Sequence, residues 1–257
     1  MKIAVCGKGG CGKSTITSLI ATKLAQHGVN VLVIDADESN TGLHRLLGVD
    51  APVNLLDHFG GKKAFKQKLK QQFPPADQTL FGDTLAVSSL SGDYTAAGNG
   101  VQLMAVGKIH DAGEGCACPM GVLSKMVLSK LVTQDNEVVL IDTEAGVEHF
   151  GRGLDENCDM ILGVVDPAYE SFLLAKRITD MVAGGSAELF FILNKADGRS
   201  EAAMRKHVDK DKIAAVITNA DALFLASLEG TPLETDIPAI EPVCDMIINR
   251  LSRRQTQ

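Results

Sequence analysis

The sequence predicts an α/β protein with a doubly wound, mostly parallel sheet, and one alternation carries that prediction. Short apolar runs recur between stretches in which apolar residues have helical spacing, a pattern typical of βαβ units. The runs predicted to be buried strands are Lys2–Cys6, Val29–Ile34, Val138–Ile141, Met160–Val165 and Leu189–Leu193. The predicted helices are Ser14–His27, which Gly28 ends, and Pro119–Val132, Ala168–Val182 and Pro238–Leu251. No internal repeat or linker interrupts the chain, so residues 1–257 are expected to form one domain.

The composition fits a globular protein and excludes several classes of function. Of 257 residues, 45% are hydrophobic and 22% are charged, which excludes a long disordered or fibrous chain. The net charge of −7 and the aromatic content of 4% argue against a nucleic-acid partner. No apolar run approaches the roughly 18–20 residues that a membrane helix needs, and no signal-peptide core follows Met1. We therefore expect a cytoplasmic protein with no nucleic-acid partner and no membrane partner.

The segment Asp50–Asn99 is less regular than the rest of the chain. It contains Gly60-Gly61 and the basic run Lys62–Lys70. We interpret the basic run as the solvated face of a helix, because a charged face needs no ligand to account for it.

A phosphate-binding loop lies directly between the first predicted strand and the first predicted helix. Gly7–Thr15 (GKGGCGKST) matches G-x-x-x-x-G-K-[ST] in the strand–loop–helix context that the motif of P-loop NTPases requires. Small residues let backbone N–H groups close around phosphate oxygens at a helix N-terminus. Lys13 is expected to reach the β- and γ-phosphates, Ser14 to hold Mg²⁺ and Thr15 to contact the α-phosphate. The nucleotide-binding residues predicted on this loop are Gly9, Gly10, Cys11, Gly12, Lys13, Ser14 and Thr15.

A second lysine, Lys8, stands directly after the first glycine of the loop. The pattern K-G-G-x-G-K-[ST] resembles the deviant Walker A signature of the family that contains MinD, the nitrogenase iron protein and the arsenite and tail-anchored-protein ATPases. This resemblance implies a MinD-like P-loop fold, ATP as the substrate, and a homodimer in which Lys8 reaches the partner subunit's nucleotide. The alternative is that Lys8 neutralises phosphate within its own subunit.

Carboxylates follow two predicted strands beside the loop. Asp35 and Asp37 follow the second strand, and Asp142 ends the run Val138–Ile141 in a Walker B pattern. We expect Ser14, Asp35 and Asp142 to hold or support Mg²⁺. By resemblance to the family's D-x-D switch I, Asp37 is expected to position the attacking water. The predicted catalytic residues are Lys8, Lys13 and Asp37. The alternative for Asp35 and Asp37 is that both cap the following turn.

Asn194 follows another predicted strand and is expected to hydrogen-bond the nucleotide base. The sequence Asn194-Lys195-Ala196-Asp197 matches the guanine-reading motif of GTPases, in which the Asp accepts from guanine. The deviant Walker A lysine instead implies ATP, and members of that family commonly keep the Asn alone. ATP is the favoured nucleotide and GTP is the alternative, in which case Asp197 is more than a turn residue.

Cys116 and Cys118 form a C-x-C pair just before the helix predicted from Pro119. Thiols at a helix N-terminus have a lowered pKa and bind metal as thiolates. Two ligands cannot close a tetrahedral site, but a symmetric dimer supplies four sulfurs. Such a set suits Zn²⁺, an iron–sulfur cluster or, less usually, Ni²⁺. The alternatives are two incidental thiols or a redox-active pair.

Three stretches together resemble the CooC-type accessory ATPases of carbon monoxide dehydrogenase, namely Gly7–Thr15, Glu114–Pro119 and Ile141–Gly153. The resemblance implies ATP hydrolysis coupled to nickel insertion into that dehydrogenase. It also implies that Cys116 and Cys118 of both subunits hold Ni²⁺ or Zn²⁺. Cys11 departs from this family, which usually has Val there, and is either a small filler or an oxidation-sensitive thiol.

Two other functions stay open at this point. An electron-transfer or cluster-carrier ATPase like the nitrogenase iron protein would need a cysteine after switch II, and no Cys occurs from Thr143 to Asn157. A MinD-like positioning ATPase would need a C-terminal amphipathic helix that binds membrane. Met246–Arg254 contains apolar residues and arginines, but it is short for stable surface binding.

Replacing both cysteines of the C-x-C pair tests the metal site. Cys116→Ser/Cys118→Ser should still bind nucleotide but lose one metal ion per dimer, because each subunit supplies only half of a tetrahedral shell. By reciprocity, metal-induced dimerisation should be lost too. Metal analysis and size exclusion with light scattering measure both effects. One equivalent of tightly bound metal per dimer in the variant would place the site elsewhere, with His110 or His149 as candidates.

Overall fold

The computed structural model describes residues 1–71, 81–108, 118–147 and 155–254, and within these ranges strands and helices alternate. The strands are β1 (Lys2–Gly7), β2 (Asn30–Asp35), β3 (Leu85–Ala86), β4 (Thr95–Gly98), β5 (Val101–Ala105), β6 (Leu131–Val132), β7 (Glu137–Asp142), β8 (Met160–Val165), β9 (Glu188–Ala196) and β10 (Ile213–Thr218). The helices are α1 (Lys13–Gln26), α2 (Leu43–Leu47), α3 (Leu55–His58), α4 (Gly61–Gln71), α5 (Cys118–Lys130), α6 (Tyr169–Val182), α7 (Ser200–His207), α8 (Asp221–Glu229) and α9 (Glu241–Arg254).

One large sheet organises the described residues. Eight strands form it in the order β10–β9–β8–β1–β7–β2–β5–β4. Every neighbouring pair is parallel except β4 and β5, which are antiparallel. The two short strands β3 and β6 pair with each other, separately from this sheet. The predicted doubly wound, mostly parallel sheet is therefore confirmed.

The central strand β1 is buried on both faces of the sheet. Ile3 and Val5 belong to a core that α1 and α9 cover, whereas Ala4 and Cys6 belong to a second core that α5 and α6 cover. Successive side chains of a strand point to opposite faces, so a strand with helices on both sides is apolar throughout. This explains why the predicted strands appear in the sequence as unbroken apolar runs.

Helix α1 is flanked by two glycines whose backbones are in the left-handed region. Gly12 precedes it with φ 100°, and Gly28 follows it with φ 78°. The amide of Gly28 donates to the carbonyl of Ala25 at 2.9 Å, which satisfies one of the free carbonyls of the last turn. The predicted helix and its glycine stop are confirmed, and the first helical residue is Lys13.

The less regular segment contains structure that the sequence analysis did not predict. Asn99 and Gly100 have φ angles of 53° and 77° and join β4 to β5. Positive φ at both central residues defines a type I′ turn, for which Asn-Gly is the preferred sequence. The basic run lies on α4, where Phe65 is fully buried and Lys63, Lys66 and Lys68 are exposed. Its interpretation as a solvated helix face is confirmed for these residues.

The C-terminal helix α9 packs its apolar face into the core. Val243, Cys244, Ile247 and Leu251 are buried against the sheet, next to α1. The apolar face of the segment that was weighed as a membrane-binding helix is therefore used in the core. Among the helices in the described parts of the chain, none combines the length and apolarity needed to cross a membrane.

Substituting Gly163 in β8 tests the packing of the central sheet. A Cβ at this position would lie 2.6 Å from ring carbons of the buried Phe191, so Gly163→Ala should destabilise the protein by about 1–3 kcal/mol through overpacking. Urea unfolding measures the change. Gly198→Ala is the matched control, because nothing lies within 4 Å of a Cβ there. Equal unfolding midpoints for the two variants would contradict this packing.

Candidate functional site

A cavity of about 610 Å³ opens at the carboxyl edge of the sheet, where β1 passes into α1. Eight of the predicted site residues line it, namely Gly9, Gly10, Gly12, Lys13, Ser14, Thr15, Asp37 and Asn194. The structure therefore brings the loop, the residue after β2 and the end of β9 to one place. Asp35 and Asp142 lie buried behind this wall.

The backbone of the phosphate loop requires glycine at Gly10 and Gly12, which have φ angles of 78° and 100°. At Gly12 space is limiting as well, because a Cβ would lie 2.4 Å from Nδ2 of Asn194. Glycine permits both the left-handed conformation and the close approach. The loop is thus shaped by backbone constraints before any ligand binds.

The end of β9 holds the phosphate loop in place. The side-chain amide of Asn194 donates to the carbonyl of Cys11 at 2.8 Å, and the ammonium of Lys195 donates to the carbonyl of Gly10 at 2.7 Å. Lys195 has a φ of 57°, an uncommon conformation for a side chain of this size. Asn194 therefore has a loop-anchoring contact in addition to its place in the cavity wall.

Ser14 and Asp142 form the link between the loop and the sheet. The Ser14 hydroxyl donates to Oδ2 of Asp142 at 2.6 Å and accepts from the side-chain amide of Asn40 at 2.7 Å. Asp142 is fully buried, and its Oδ1 has no hydrogen-bond partner among the described residues. Burial, with the nearby negative charge of Asp35, raises the pKa of Asp142 to about 7.

An unpaired buried carboxylate oxygen beside a serine hydroxyl is a donor set that suits Mg²⁺, a cation that prefers oxygen ligands. Ser14 and Asp142 therefore fit this cation, as the sequence analysis predicted for them. Asp35 differs, because both of its oxygens already have partners. Oδ2 lies 2.7 Å from Nζ of Lys108, and Oδ1 accepts from the amide of Asp37 at 3.2 Å. Asp35 can therefore support the cation site from behind, as the sequence predicts, and its bond to the amide of Asp37 is also part of the turn after β2.

Asp37 combines the two interpretations that the sequence analysis weighed. Its Oδ1 accepts from the amide of Ser39 at 2.9 Å, the hydroxyl of Ser39 at 2.6 Å and the amide of Asn40 at 3.2 Å. These bonds cap the turn after β2. The same residue lines the cavity, so capping the turn also fixes the carboxylate next to the space for the nucleotide.

Lys8 points away from the cavity within its own chain. Its Nζ lies 3.7 Å from Oδ2 of Asp166, at the end of β8. Asp166 also accepts a short hydrogen bond from the hydroxyl of Ser171. Lys8 is absent from the cavity lining and its side chain is 34% exposed. The second lysine of the loop is therefore available at the surface of one subunit.

The cysteines divide into two groups. Cys11 is fully buried, and burial raises the pKa of its thiol to about 11, so it stays protonated as a small apolar filler. Cys11 contributes to the loop through its backbone carbonyl, which accepts from Asn194, and its side chain does not line the cavity. Cys116 lies outside the described residues, as do His110 and residues 148–154, and Cys118 enters only as the first residue of α5. Within the described ranges, no group of three or more His, Cys, Asp or Glu side chains could hold a metal ion.

The far wall of the cavity was missed by the sequence analysis. It contains Arg45, the end of β10 and part of α8, with Thr218, Asn219, Ala220, Leu223, Phe224 and Leu228. Phe224 is 65% exposed and Leu228 is 69% exposed, so apolar surface faces the opening. The apolar run Ile213–Thr218 was the available signal, because ligands bind at the carboxyl ends of parallel strands.

Comparison with known proteins identifies the family. The model of the CobQ/CobB/MinD/ParA nucleotide-binding domain matches residues 2–233. The chain belongs to this family. The fold agrees with it: MinD from Pyrococcus horikoshii, solved in complex with Mg-ADP, superposes with a TM-score of 0.66. That pair is 21% identical and covers 96% of this chain and 95% of the other, so the likeness extends to the fold and no further.

Two relatives are similar over most of the chain. An uncharacterised ATP-binding protein of Methanocaldococcus jannaschii is 44% identical over 247 residues, which is 96% of this chain and 99% of the relative. The carbon monoxide dehydrogenase accessory protein CooC of Rhodospirillum rubrum is 33% identical over 203 residues, which is 76% of this chain and 74% of that protein.

The buried carboxyl of Asp142 should make the stability of the ligand-free protein depend on pH. Its pKa of about 7 lies above the ordinary value of 3.8, so between these values the folded state binds more protons than the unfolded state. Stability then falls as pH rises through this window. Asp142→Asn removes the contribution, so the free energy of unfolding of the variant relative to wild type should rise by about 1–2 kcal/mol from about pH 5 to about pH 8.

Urea unfolding without nucleotide or Mg²⁺ at several pH values measures this difference. Asp83→Asn is the control, because Asp83 is exposed and lies outside the cavity lining. Parallel pH curves for wild type and Asp142→Asn would contradict the raised pKa.

Proposed function

We propose that the protein is a homodimeric, Mg²⁺-dependent ATPase that uses ATP hydrolysis to assist nickel insertion into carbon monoxide dehydrogenase. The observation that carries the hydrolytic part is the buried Ser14–Asp142 pair behind the phosphate loop, with Asp37 fixed in the same cavity wall. The similarity to CooC over 76% of the chain supports the nickel and dehydrogenase part.

The residues of the cavity have separate roles in this reaction. Backbone N–H groups of the loop and the ammonium of Lys13 bind the β- and γ-phosphates. Lys13 now donates to the carbonyl of Lys8 at 3.4 Å, a long bond that a phosphate oxygen would replace. Mg²⁺, when bound at Ser14 and Asp142, neutralises phosphate charge. Asp37 orients the attacking water toward the γ-phosphate, because its carboxylate is held beside the loop by the turn that follows.

ATP is the proposed nucleotide and GTP is disfavoured by the place of Asp197. Its Oδ1 accepts from the amides of Arg199 at 2.9 Å and Ser200 at 2.7 Å, at the start of α7. Asp197 does not line the cavity, whereas Asn194 does. A carboxylate committed to a helix start is poorly placed to accept from guanine. This supports the turn-residue alternative for Asp197, and the name of the M. jannaschii relative also points to ATP.

The homodimer is proposed on the position of Lys8. Lys8 is partly exposed, contacts Asp166 and does not line the cavity of its own subunit, which favours a role across the interface over phosphate neutralisation within the subunit. Contact with the nucleotide of a second copy gives it a role, and a two-fold dimer would exchange this lysine reciprocally.

The metal that is delivered is proposed to bind Cys116 and Cys118 of both subunits, as Ni²⁺ or Zn²⁺. The support is the C-x-C sequence, whose second cysteine is the first residue of α5, and the similarity to CooC. Helix α5 is packed into the core through Met120, Leu123 and Val127. Four thiolates, two from each subunit, would complete a tetrahedral shell for such a metal.

Mixing two inactive variants tests the exchange of Lys8 between subunits. Lys8→Ala lacks the lysine that it supplies to its partner, and Asp37→Asn lacks the group that orients its own water. Each alone should bind ATP without hydrolysing it. In a mixed dimer, the site of the Lys8→Ala subunit receives Lys8 from its partner and keeps Asp37. An equal mixture should therefore recover about a quarter of wild-type turnover, since half of random dimers are mixed and have one complete site.

Phosphate release after mixing measures this recovery. The matched control is Lys8→Ala mixed with Lys8→Ala/Asp37→Asn, in which neither subunit supplies the lysine and no recovery is expected. If the first mixture also stays inactive, Lys8 acts within its own subunit. If Lys8→Ala alone hydrolyses ATP like wild type, Lys8 has no role in hydrolysis.

A further inference from the structure

We propose that Lys108 is a positioning residue that fixes Asp37 for water orientation. This inference rests on the proposed function, in which Asp37 orients the water. The ammonium of Lys108 donates to the backbone carbonyl of Asp37 at 2.5 Å and lies 2.7 Å from Oδ2 of Asp35. The Lys108 side chain is 8% exposed. Lys108 therefore holds the Asp35–Asp37 segment from the interior of the protein, and it does not line the cavity.

The backbone that carries Lys108 is itself held on three sides. The amide of Val106 donates to the carbonyl of Asp35 at 3.0 Å, and the carbonyl of Val106 accepts from Leu56 of α3 at 2.9 Å. At Gly107 a Cβ would lie 2.9 Å from Sδ of Met120 on α5, so this residue packs directly against that helix. Because the backbone before Lys108 is fixed, the direction of its side chain is defined. Its ammonium is therefore a preorganised hydrogen-bond donor to the carbonyl of Asp37.

Asp37 is consequently fixed at two points. Donors from Ser39 and Asn40 hold its carboxylate, and Lys108 holds its carbonyl. Hydrogen bonds from a charged donor are stronger than neutral ones. Because a displacement of about 1 Å in a group that orients a reactant costs on the order of 10²-fold in rate, removing the carbonyl contact should slow hydrolysis while leaving the phosphate loop intact.

A purely electrostatic role is the competing explanation. Lys108 also compensates the buried carboxylate of Asp35, and removing one partner of a buried ion pair leaves an uncompensated charge that destabilises the fold. The two explanations separate when Asp35 is neutralised as well. In a variant that lacks both the Lys108 ammonium and the Asp35 charge, no buried charge is left uncompensated. The carbonyl of Asp37 still lacks its hydrogen-bond donor in that variant.

The experiment compares Lys108→Met, Asp35→Asn and the double variant Lys108→Met/Asp35→Asn, with thermal unfolding and with kcat and KM for ATP. Lys108→Met should lower the unfolding midpoint and reduce kcat at least tenfold, with KM within about threefold of wild type. The double variant should regain the unfolding midpoint that Lys108→Met loses. Its kcat should stay at least fivefold below that of Asp35→Asn. Because it holds no unpaired charge, it remains informative if Lys108→Met does not fold.

The control is Lys2→Met. Lys2 also donates to a backbone carbonyl, that of Leu128 at 2.7 Å, but it stands at the amino end of β1, away from the cavity. Its kcat should match wild type. If the double variant hydrolyses ATP as fast as Asp35→Asn, or if Lys108→Met stays within twofold of wild type, the positioning role of Lys108 is wrong while the proposed ATPase stands. If wild type hydrolyses no ATP, the proposed function fails and this role fails with it.

Discussion

The hydrogen bond from the Ser14 hydroxyl to the Asp142 carboxylate is the interaction on which the candidate site depends. It ties the first turn of α1 to the end of β7 and so links the phosphate loop to the sheet. Asp142 is fully buried and keeps one oxygen unpaired, a costly arrangement for a carboxylate. Its raised pKa reflects that cost. Such a site favours a bound cation, because the cation would give Oδ1 of Asp142 the partner that it lacks among the described residues.

The strand order explains why distant parts of the chain meet at this bond. β1 lies between β7 and β8, and β2 lies on the far side of β7. Parallel register pairs Val5 with Asp142 and Asp35 with Asp142, so the two carboxylates follow adjacent strands at one edge. The phosphate loop after β1 lies at the same edge. At this point the strand order changes direction, because the chain continues from β1 toward β2 on one side while β8 lies on the other side. Ligands of open α/β sheets bind at such a point, and here the cavity lies there.

The predictability of each part follows from whether its chemistry is local in sequence. The phosphate loop and the carboxylates at strand ends could be predicted, because fixed spacings between adjacent elements determine them. The Asn99-Gly100 turn carried a local signal that was overlooked. Lys108 and the wall at β10 and α8 could not be placed from spacing, because tertiary packing of β5 and of the outer strand brings them to the site. The proposed roles of Cys116 and Cys118 rest on the C-x-C pattern and on the similarity to CooC.

In the proposed homodimer a single subunit lacks one catalytic lysine, and this constrains how the proposed activity could be controlled. Lys8 contacts Asp166 and does not line the cavity, so under the proposed exchange it would leave Asp166 when it reaches the partner subunit's phosphate. Hydrolysis would then be conditional on association. A metal ion that needs thiolates from both subunits would depend on the same association. Linkage requires that each ligand favour binding of the other by an equal factor, and hydrolysis, by removing the γ-phosphate, would weaken the hold on the metal. Release of cargo would thus follow from the chemistry of one shared interface, without a separate signal between the two sites.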